Sequence, residues 1–424
     1  MSKDMDSSST ASHDGFPAYS IQTINWEKPM ALPLEGIRIC DLSQIMFGPC
    51  GTQVLGDFGA DVIKIERPGI GDISRTIDRH RADRNDESAN FLGMNRNKRS
   101  LALDVKSPEG LAIVKRIAKN SDVFVHNYRP GVIERLGLGY DDLRAENEKL
   151  IYVEGSGFGV KGPLAGKGGM DFVAQAIAGV AHGNKDPSGK PQLFPISASD
   201  FSSGMILAQG VLLALFHRER TGRGQKIEIN LLDVFLVMQQ QEVTQKLLTG
   251  KDFNPLQQDP MDVFATADGH IAVIAVLRPN PISDICNALE IPDITADPAL
   301  STLAKQMANR EEYRRRMAEG FTKFTTAECE RRLDAVDILC SPVLPLGKTL
   351  KHPQVEENGI LVEISHPKQG KFRTVGNAIK SSEVDQISLV PPPLLGQHSE
   401  EVLLEFGYST GEIEVFKQSN VINK

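Results

Sequence analysis

The chain of 424 residues lacks most signatures of the common enzyme classes. The nine histidines show no metal-ligand spacing, and neither a P-loop nor a G-x-S-x-G elbow occurs. These absences argue against a metal hydrolase, a serine hydrolase or a kinase. The five cysteines are scattered and form no CxxC pair, which argues against a disulfide framework and a zinc site. They are Cys40, Cys50, Cys286, Cys329 and Cys340.

Long hydrophobic runs and an excess of positive charge are also missing. The longest apolar run, around residues 205–216, is too short to span a bilayer. The net charge of −8 argues against nucleic acid or an anionic membrane as the main partner. The first 20 residues are rich in Ser and Asp and lack the basic and apolar regions of a signal peptide. We therefore predict a disordered tail over residues 1–30 and a cytoplasmic protein.

Strand-like and helix-like segments alternate through the first half of the chain. Residues 37–42 and 61–66 are short apolar runs that predict two strands flanking a helix, and similar runs follow at 100–105, 122–128 and 150–154. Ser107 and Pro108 form a typical helix start, with Ser as the cap. Such βαβ units imply a parallel sheet covered by helices. We predict a large α/β domain over residues 31–235.

The pattern changes beyond this domain, as the length of the chain leads one to expect. A hairpin is predicted near 263–276, with Asp268 and Gly269 at its turn, and two charged helices follow near 282–290 and 309–333. These elements predict a small α+β domain over 250–335. Strands at 359–364 and 370–375 and a helix from Ser399 belong to a C-terminal segment, 340–424, that we expect to return to the large domain.

A glycine-rich stretch, residues 155–169, follows the strand at 150–154. A dinucleotide-binding fingerprint would open a helix directly, but Pro163 and three more glycines precede the helix that begins at Asp171. Nicotinamide or flavin binding is therefore disfavoured. A mobile loop over an active site is the better functional interpretation, and a plain surface loop is the alternative.

Positive charge gathers in three places in the first half of the chain. Lys98 and Arg99 are adjacent, Lys106 follows the next strand, and Arg129 lies close to Arg135. Ligands of doubly wound sheets bind at the carboxyl ends of the strands, where Lys106 and Arg129 are predicted to lie. Such residues hold phosphate groups by charge-assisted hydrogen bonds. A solvated charged face explains the same pattern equally well.

Asp200 is the sharpest candidate for catalysis. It follows a strand-like run, 193–197, and precedes the apolar helix at 205–216, so we expect it at a helix N-cap. There the helix dipole and free N–H groups favour the ionised form. An ordinary Asp titrates near roughly pH 3.9 and is a carboxylate nucleophile at neutral pH. From the pattern alone, a purely structural cap is the favoured alternative, and Asp171 carries the same ambiguity.

Six stretches of the chain, in order, resemble the family III CoA-transferases. That family contains formyl-CoA transferase, carnitine CoA-transferase and the α-methylacyl-CoA racemases. The matching stretches cover about residues 34–424 and are LPLEGIRICDLSQIMFGPCGTQVLGDFGADVIKIERPGIGD, NRNKRSLALDVKSPEG, NYRPGVIERLGLGYDDL, ASDFSSGM, TGRGQKIEINLLD and PPLLGQHSEEVL.

The resemblance implies a nucleophile and a mechanism. The family's Asp-x-x-(Ser/Thr)-Gly motif matches Asp200, Ser203 and Gly204, which reverses the preference for a structural cap. CoA would pass from an acyl-CoA donor to a free carboxylic acid through an aspartyl-CoA thioester. Donors to the oxyanions are expected from the helix start beside Asp200 and from the glycine loop. The active-site loop would be Gly168, Gly169, Met170 and Asp171.

The resemblance also implies an architecture and a binding site for CoA, with no metal or nicotinamide. The expected fold is a Rossmann-like large domain and a smaller α+β domain in an interlaced homodimer. By the same alignment, the residues that contact CoA are Met46, Phe47, Arg67, Leu103, Lys106, Asn127, Tyr128, Arg129 and Arg135.

Two departures from the family pattern bear on the reaction. Racemases of the family carry a His immediately before the Asp of the glycine loop, where this chain has Met170, so racemase activity is disfavoured. Asn90 and Met170 replace two tyrosines of the formyl-CoA/oxalate enzymes, and no glycine run occurs between residues 240 and 280. The sequence therefore does not name the two acids. A CoA-ester racemase or epimerase and a non-catalytic CoA-binding subunit remain the alternatives.

Overall fold

The computed structural model describes residues 32–77, 87–186, 188–254, 256, 260–275, 281–384 and 389–423. The tail predicted at 1–30 lies outside the described residues. The strands are β1 Arg38–Asp41, β2 Asp61–Glu66, β3 Lys98–Ala102, β4 Val123–His126, β5 Ile151–Ser156, β6 Lys226–Asn230, β7 Met261–Ala265, β8 His270–Ile274, β9 Leu339–Pro342, β10 Leu361–His366 and β11 Gly370–Val375.

The helices alternate with these strands in the first half of the chain. They are α1 Phe47–Asp57, α2 Ala89–Met94, α3 Pro108–Lys119, α4 Val132–Arg135, α5 Tyr140–Glu146, α6 Asp171–Ile177, α7 Val180–Gly183, α8 Ala198–Thr221, α9 Leu231–Met238, α10 Gln240–Thr249, α11 Pro281–Ala288, α12 Leu303–Ala308, α13 Arg310–Phe321, α14 Thr326–Asp334, α15 Leu346–Thr349, α16 Pro353–Glu357, α17 Ser399–Glu405 and α18 Thr410–Gln418, with 3₁₀ turns at Ile73–Arg75 and Ile294–Ala296.

A six-stranded parallel sheet in the order β3-β2-β1-β4-β5-β6 forms the large domain. The central strands are short and almost wholly buried, as strands covered on both faces must be. The chain reverses its winding direction between β1 and β4. Ligands bind outside the carboxyl ends of the strands at such a switch point. The predicted α/β class with a parallel sheet is confirmed.

Helices α1 and α8 cover one face of the sheet, and they touch through glycine. A Cβ atom on Gly51 would lie 2.6 Å from the carbonyl oxygen of Gly204. Gly204 lies level with the start of α1, and Leu207 lies level with Gly51, so the two helices run side by side in the same direction. The other face packs on α3, on α5 and on the C-terminal helices.

Helix α8 differs most from its prediction. It begins at Ala198, seven residues before the predicted run, and Ser197 is its N-cap. The expected strand at 193–197 is absent from this described segment, which has no regular secondary structure. By length and composition α8 alone among the described helices is apolar enough to cross a membrane, but half of its most apolar window is buried inside the protein.

A three-stranded antiparallel sheet, β7-β8-β9, forms the smaller unit together with α11 to α14. Phe264 and Phe321 stack in its core with ring centroids 4.4 Å apart. The predicted hairpin is confirmed, although position 276 lies outside the described residues. The long helix predicted at 309–333 is two helices, because Thr325 caps α14 and starts a new helix.

The C-terminal segment packs against the large domain only beyond β9, because residues 340–342, predicted to belong to this segment, lie in β9 and pair with β8 of the smaller unit. Its hairpin β10-β11 is antiparallel, and α17 begins at Ser399 as the sequence predicts. Ile422 pairs with Leu103 beyond the end of β3. Buried Arg75 donates to the carbonyl of Pro393, at 3.1 Å, and makes a two-pronged ion pair with Glu66. This segment is thereby attached next to the carboxyl ends of β2 and β3.

Candidate active site

The side chain of Asp200 lies on the first turn of α8 and is only 9% exposed. In the described part of the chain its carboxylate accepts no hydrogen bond and forms no ion pair. It faces a cavity of about 180 Å³. The residues around this cavity are Ile45, Met46, Ser74, Ile77, Asn90, Met94, Met170, Asp171, Phe172, Ser197 and Asp200.

Asp171, the buried first residue of α6, binds the start of α8. Its Oδ2 accepts hydrogen bonds from the backbone N–H groups of Ser199, at 2.7 Å, and Asp200, at 3.1 Å. Its Oδ1 accepts from Gln175 Nε2 at 2.7 Å. The prediction that these N–H groups serve Asp200 or an oxyanion is wrong. Ser197 provides no side-chain cap, so the carboxylate of Asp171 satisfies the first turn from across the site.

The protonation of Asp200 also differs from the sequence expectation. Burial, and then the negative charge of Asp171, raise the pKa of Asp200 from 3.8 to about 7. An ordinary Asp would be fully ionised at neutral pH, whereas here the carboxyl group is about half ionised at pH 7. No described residue donates a hydrogen bond to the carboxylate that would offset the effect of burial on its pKa.

The motif residues that follow Asp200 have packing roles. A Cβ on Gly204 would lie 2.8 Å from both Cys50 Cβ and the carbonyl oxygen of Phe47, so only glycine lets α8 approach α1 this closely. The hydroxyl of Ser203 is fully buried and has no hydrogen-bond partner in the described structure. Gly204 therefore fixes the height of Asp200 relative to the start of α1.

The glycine loop is closed at its base. Gly157 and Gly169 lie back to back, and a Cβ on either would overlap the backbone of the other. Gly168 lies against the guanidinium of Arg129, where a Cβ would also overlap. The N–H groups of Gly168 and Gly169 donate to no acceptor within the described ranges. Met170, half exposed, leads from this base into the cavity.

A buried ion pair supports the cavity wall at Ile45. Lys64 and Asp72, both fully buried, lie 2.8 Å apart, and Lys64 also donates to the carbonyl of Ser43. Asp72 accepts the N–H of Ile45 at 3.0 Å. Ile45 has φ of 68°, an unfavourable conformation for a β-branched residue that persists only where its surroundings enforce it. These contacts hold Ile45 and Met46 at the cavity.

Two of the basic candidates belong to the fold and not to a ligand site. Lys98 is fully buried and pairs with Asp41, and burial lowers its pKa to about 8. Arg99 pairs with Asp61 at 2.6 Å and with Glu401 at 3.0 Å. The prediction of a solvated charged face is wrong for Lys98, since its ammonium group is buried and paired with Asp41.

Four other basic residues are exposed at the carboxyl edge of the sheet. Arg67 follows β2, Lys106 follows β3, and Arg129 and Arg135 follow β4. None of the four pairs with a carboxylate in the described structure. Free cations around one edge fit the phosphate groups of CoA, which need several donors at once.

The remaining residues expected to contact CoA have mixed surroundings. Met46 lines the cavity, and the ring of Phe47 packs behind Gly155. Leu103 is buried, and its backbone N–H donates to the carbonyl of Glu66 at 2.7 Å, so neither its side chain nor its N–H is open to a ligand. The amide of Asn127 exchanges two hydrogen bonds with the backbone of Gln44, and the hydroxyl of Tyr128 accepts from the Gln44 side chain.

Sequence reasoning missed several residues of the cavity. Ser74 is fully buried and its hydroxyl has no partner among the described residues, while Ile77 and Phe172 are about half exposed beside it. Ser197 also lines the cavity. These residues come from separate segments, and no local pattern unites them. The only available signal was their position close to the family's matching stretches.

The sequence of the chain matches a known family over most of its length. The pattern of CoA-transferase family III covers residues 34–399. A succinyl-CoA:glutarate CoA-transferase of Mus musculus is 34% identical over 398 residues, which are 92% of this chain and 91% of that protein. A formyl-CoA:oxalate CoA-transferase of Escherichia coli O157:H7 is 31% identical over 422 residues, 93% of this chain and 100% of that protein.

Solved structures show the same fold. The crystal structure of Rv3272 from Mycobacterium tuberculosis superposes with a TM-score of 0.78 at 31% identity, covering 88% of this chain and 99% of that one. A CAIB/BAIF family protein from Brucella suis superposes with a TM-score of 0.79 at 27% identity, covering 89% and 100%. The chain therefore belongs to CoA-transferase family III and is a CoA-transferase.

Proposed function

We propose that this CoA-transferase moves CoA from an acyl-CoA to a free carboxylic acid through a thioester on Asp200. The observation that carries the proposal is a carboxylate that is 9% exposed, has no partner in the described structure and faces a cavity. A buried, unpaired carboxylate costs stability. Such perturbed groups in clefts are characteristic of functional sites.

The transfer begins when an Asp200 oxygen attacks the thioester carbonyl of the donor. The C–S bond breaks, giving a mixed anhydride on Asp200 and CoA thiolate. The thiolate then attacks the aspartyl carbonyl and expels the donor acid as a carboxylate, leaving an aspartyl-CoA thioester. The acceptor carboxylate reverses these steps, so that acyl-CoA leaves and Asp200 is regenerated.

The anhydride must be protected from water for transfer to exceed hydrolysis. Apolar side chains from several segments provide most of the cavity wall, among them Ile45, Met46, Met94 and Phe172. The glycine loop, closed at its base by Gly157 and Gly169, would cover the remaining opening. Excluding water in this way also strengthens every electrostatic interaction with the reacting atoms.

CoA would be held at the edge of the sheet by Arg67, Lys106, Arg129 and Arg135. These residues are exposed and have no carboxylate partner in the described structure, so their charge is available to phosphate groups. Binding energy gained far from the thioester orients the reacting carbonyl at Asp200.

The acids are proposed to be short. The cavity of about 180 Å³ is smaller than the roughly 300–1,000 Å³ of sites for drug-sized ligands. The related enzymes named for succinyl-CoA and glutarate suggest this donor and this acceptor as the first pair to test.

The protein is also proposed to be a homodimer. Leu213 and Phe216 of α8 are 70% and 58% exposed, and Leu247 and Leu248 of α10 are 81% and 78% exposed. Large exposed apolar surfaces mark association sites, and a second copy of the chain would cover those of α8 and α10. Sedimentation should give twice the chain mass of 46.4 kDa; a monomer at micromolar concentration would contradict this proposal.

Mass spectrometry tests the covalent step directly. Incubation with succinyl-CoA and no acceptor should leave a CoA adduct on the peptide that contains Asp200. The Asp200→Asn variant should form no adduct and transfer no CoA, while retaining its fold and its affinity for CoA. An unchanged transfer rate in this variant would refute the assignment.

The alternatives are separated by two simple measurements. A racemase would exchange the α-proton of its substrate with deuterated solvent, and Met170 cannot carry a proton where the family's racemases use His. We expect no deuterium incorporation. A non-catalytic subunit would need a partner, whereas we expect the purified protein alone to exchange CoA between two acids.

A further inference from the structure

Two backbone N–H groups at the start of α1 have no hydrogen-bond acceptor in the described residues. They belong to Phe47 and Gly48, both buried, and the first bond of the helix is donated by Cys50 to the carbonyl of Met46. Pro49 has no N–H, so these two groups are the donors that the first turn offers. Buried N–H groups without a partner are rare and call for an explanation.

The preceding loop does not satisfy these donors. Met46 occupies the N-cap, where Ser, Thr, Asp or Asn is usual, and its side chain accepts no hydrogen bond. The carbonyl of Ser43 accepts from Lys64, at 2.8 Å, and that of Gln44 accepts from Asn127, at 2.8 Å. The start of this 11-residue helix is thus left with its positive dipole end uncompensated.

The same end of α1 lies beside Asp200. Because α1 and α8 run in the same direction with Gly204 level with the start of α1, Asp200 lies one turn further towards the helix N-termini. Met46 and Asp200 line the same cavity. The Asp200 carboxylate, nine-tenths buried and without a partner in the described structure, is an independent sign that a ligand completes this space.

The start of α8 does not provide the donors. The N–H groups of Ser199 and Asp200 bind Asp171, and that of Phe201 binds the carbonyl of Ser197. The first N–H groups of α8 are therefore bound by acceptors of the protein, whereas those of Phe47 and Gly48 in α1 have no acceptor in the described residues.

We propose that the N–H groups of Phe47 and Gly48 stabilise the oxyanions of the transfer reaction. When an Asp200 oxygen adds to the thioester carbon, the carbonyl π electrons move to oxygen, and the two N–H groups donate to that oxygen. As the C–S bond breaks, the electrons return to form the anhydride carbonyl and the thiolate departs. The later addition of thiolate to the aspartyl carbonyl places its oxyanion on the same donors. This inference rests on the proposed function of Asp200.

A pair of variants at Met46 tests the inference. Met46→Ser introduces a side-chain acceptor at the N-cap that binds the N–H of Gly48, whereas Met46→Ala removes the same side chain without adding an acceptor. Relative to Met46→Ala, Met46→Ser should have a higher melting temperature and a kcat lower by at least about tenfold, since loss of one such donor costs roughly 10²–10³ in kcat. A residue with a merely structural role would move stability and kcat in the same direction. Equal kcat values together with a raised melting temperature would overturn the proposal.

Hydrogen exchange on the wild-type protein gives a second readout that needs no variant. The peptide spanning 45–51 should exchange more slowly with succinyl-CoA, which loads Asp200, than with CoA alone. Equal exchange in the two states would also overturn the proposal. Absence of any CoA adduct on Asp200 would instead refute the proposed function, whereas adducts that form at equal rates in the two Met46 variants refute only the role of α1.

Discussion

Replacing Asp171 with asparagine tests whether its charge sets the reactivity of Asp200. The pKa of Asp200 rises from 3.8 to about 7, with burial as the larger cause and Asp171 as the second. The charge of Asp171 therefore accounts for less than half of this rise. Removing the charge should lower the pKa of Asp200 to about 6.

The pH dependence of kcat/KM for the acyl-CoA donor reports this change. In the proposed mechanism only the ionised form of Asp200 attacks, so the wild-type rate should fall tenfold per pH unit below about 7. At pH 6 the wild type should retain about one tenth of its plateau and the Asp171→Asn variant about one half. The plateau itself should fall in the variant, because the start of α8 loses charge-assisted hydrogen bonds from Ser199 and Asp200.

Gln175→Met is the matched control. It removes the hydrogen bond from Gln175 to Asp171 Oδ1 but keeps the negative charge of Asp171. The acid limb of its kcat/KM profile should therefore stay near pH 7. An acid limb that does not move in a folded Asp171→Asn variant would refute the electrostatic argument. A wild-type acid limb below pH 5 would refute the effect of burial as well.

Three further predictions concern stability and binding. The folded protein holds the Asp200 proton more tightly than the unfolded chain, so the cost of ionising Asp200 grows from about pH 4 and is fully present above about pH 7. Asp200→Asn should therefore raise the free energy of unfolding by roughly 4 kcal/mol at pH 8 in urea titrations, and the gain should vanish near pH 4. A gain that does not depend on pH would contradict this. Lys106→Ala should raise KM for the CoA ester about tenfold with little change in kcat. The control Lys119→Ala, which removes an exposed lysine paired with Glu146, should change neither value. A loss confined to kcat in Lys106→Ala would exclude a binding role for Lys106. Gly204→Ala should lower the free energy of unfolding by about 1–3 kcal/mol and remove most of the activity, because it separates α8 from α1. In the control Gly210→Ala on the same helix, the new Cβ would lie 3.4 Å from Ile227, and the free energy of unfolding should stay within about 1 kcal/mol of the wild type. Equal melting temperatures for the two variants would show that the contact between α8 and α1 at Gly204 is unimportant.

Local signals in the sequence predict most of the large sheet. Strand β2 has the predicted bounds, and α3 begins with the expected Ser107 cap and Pro108. Both depend only on neighbouring residues. The start of α8 does not: the apolar run at 193–197 has a strand-like composition, but Asp171, almost thirty residues earlier, binds the N–H groups of the first turn of α8.

Charge shows the same limit of local reasoning. Lys98 and Lys106 both accompany β3, and nothing near them in sequence tells which is buried. Lys98 forms a buried ion pair with Asp41, which lies 57 residues earlier, whereas Lys106 is exposed. The motif around Asp200 identifies the proposed nucleophile from sequence, but the raised pKa of Asp200 depends on burial, which only the assembled fold creates. Ser74 and Ile77 were missed because only the assembled fold brings them next to Asp200.

The back-to-back contact of Gly157 with Gly169 has an evolutionary consequence. Because the two backbones are in contact there, the eleven intervening residues form a loop whose ends are fixed next to β5 and Asp171. Residues can be inserted, deleted or exchanged at most positions within that loop without shifting Asp171 or Asp200, whereas Gly168 must stay because a Cβ there would overlap the guanidinium of Arg129. Variation between Gly157 and Gly169 is thereby compatible with unchanged positions of Asp171 and Asp200, provided that both glycines stay.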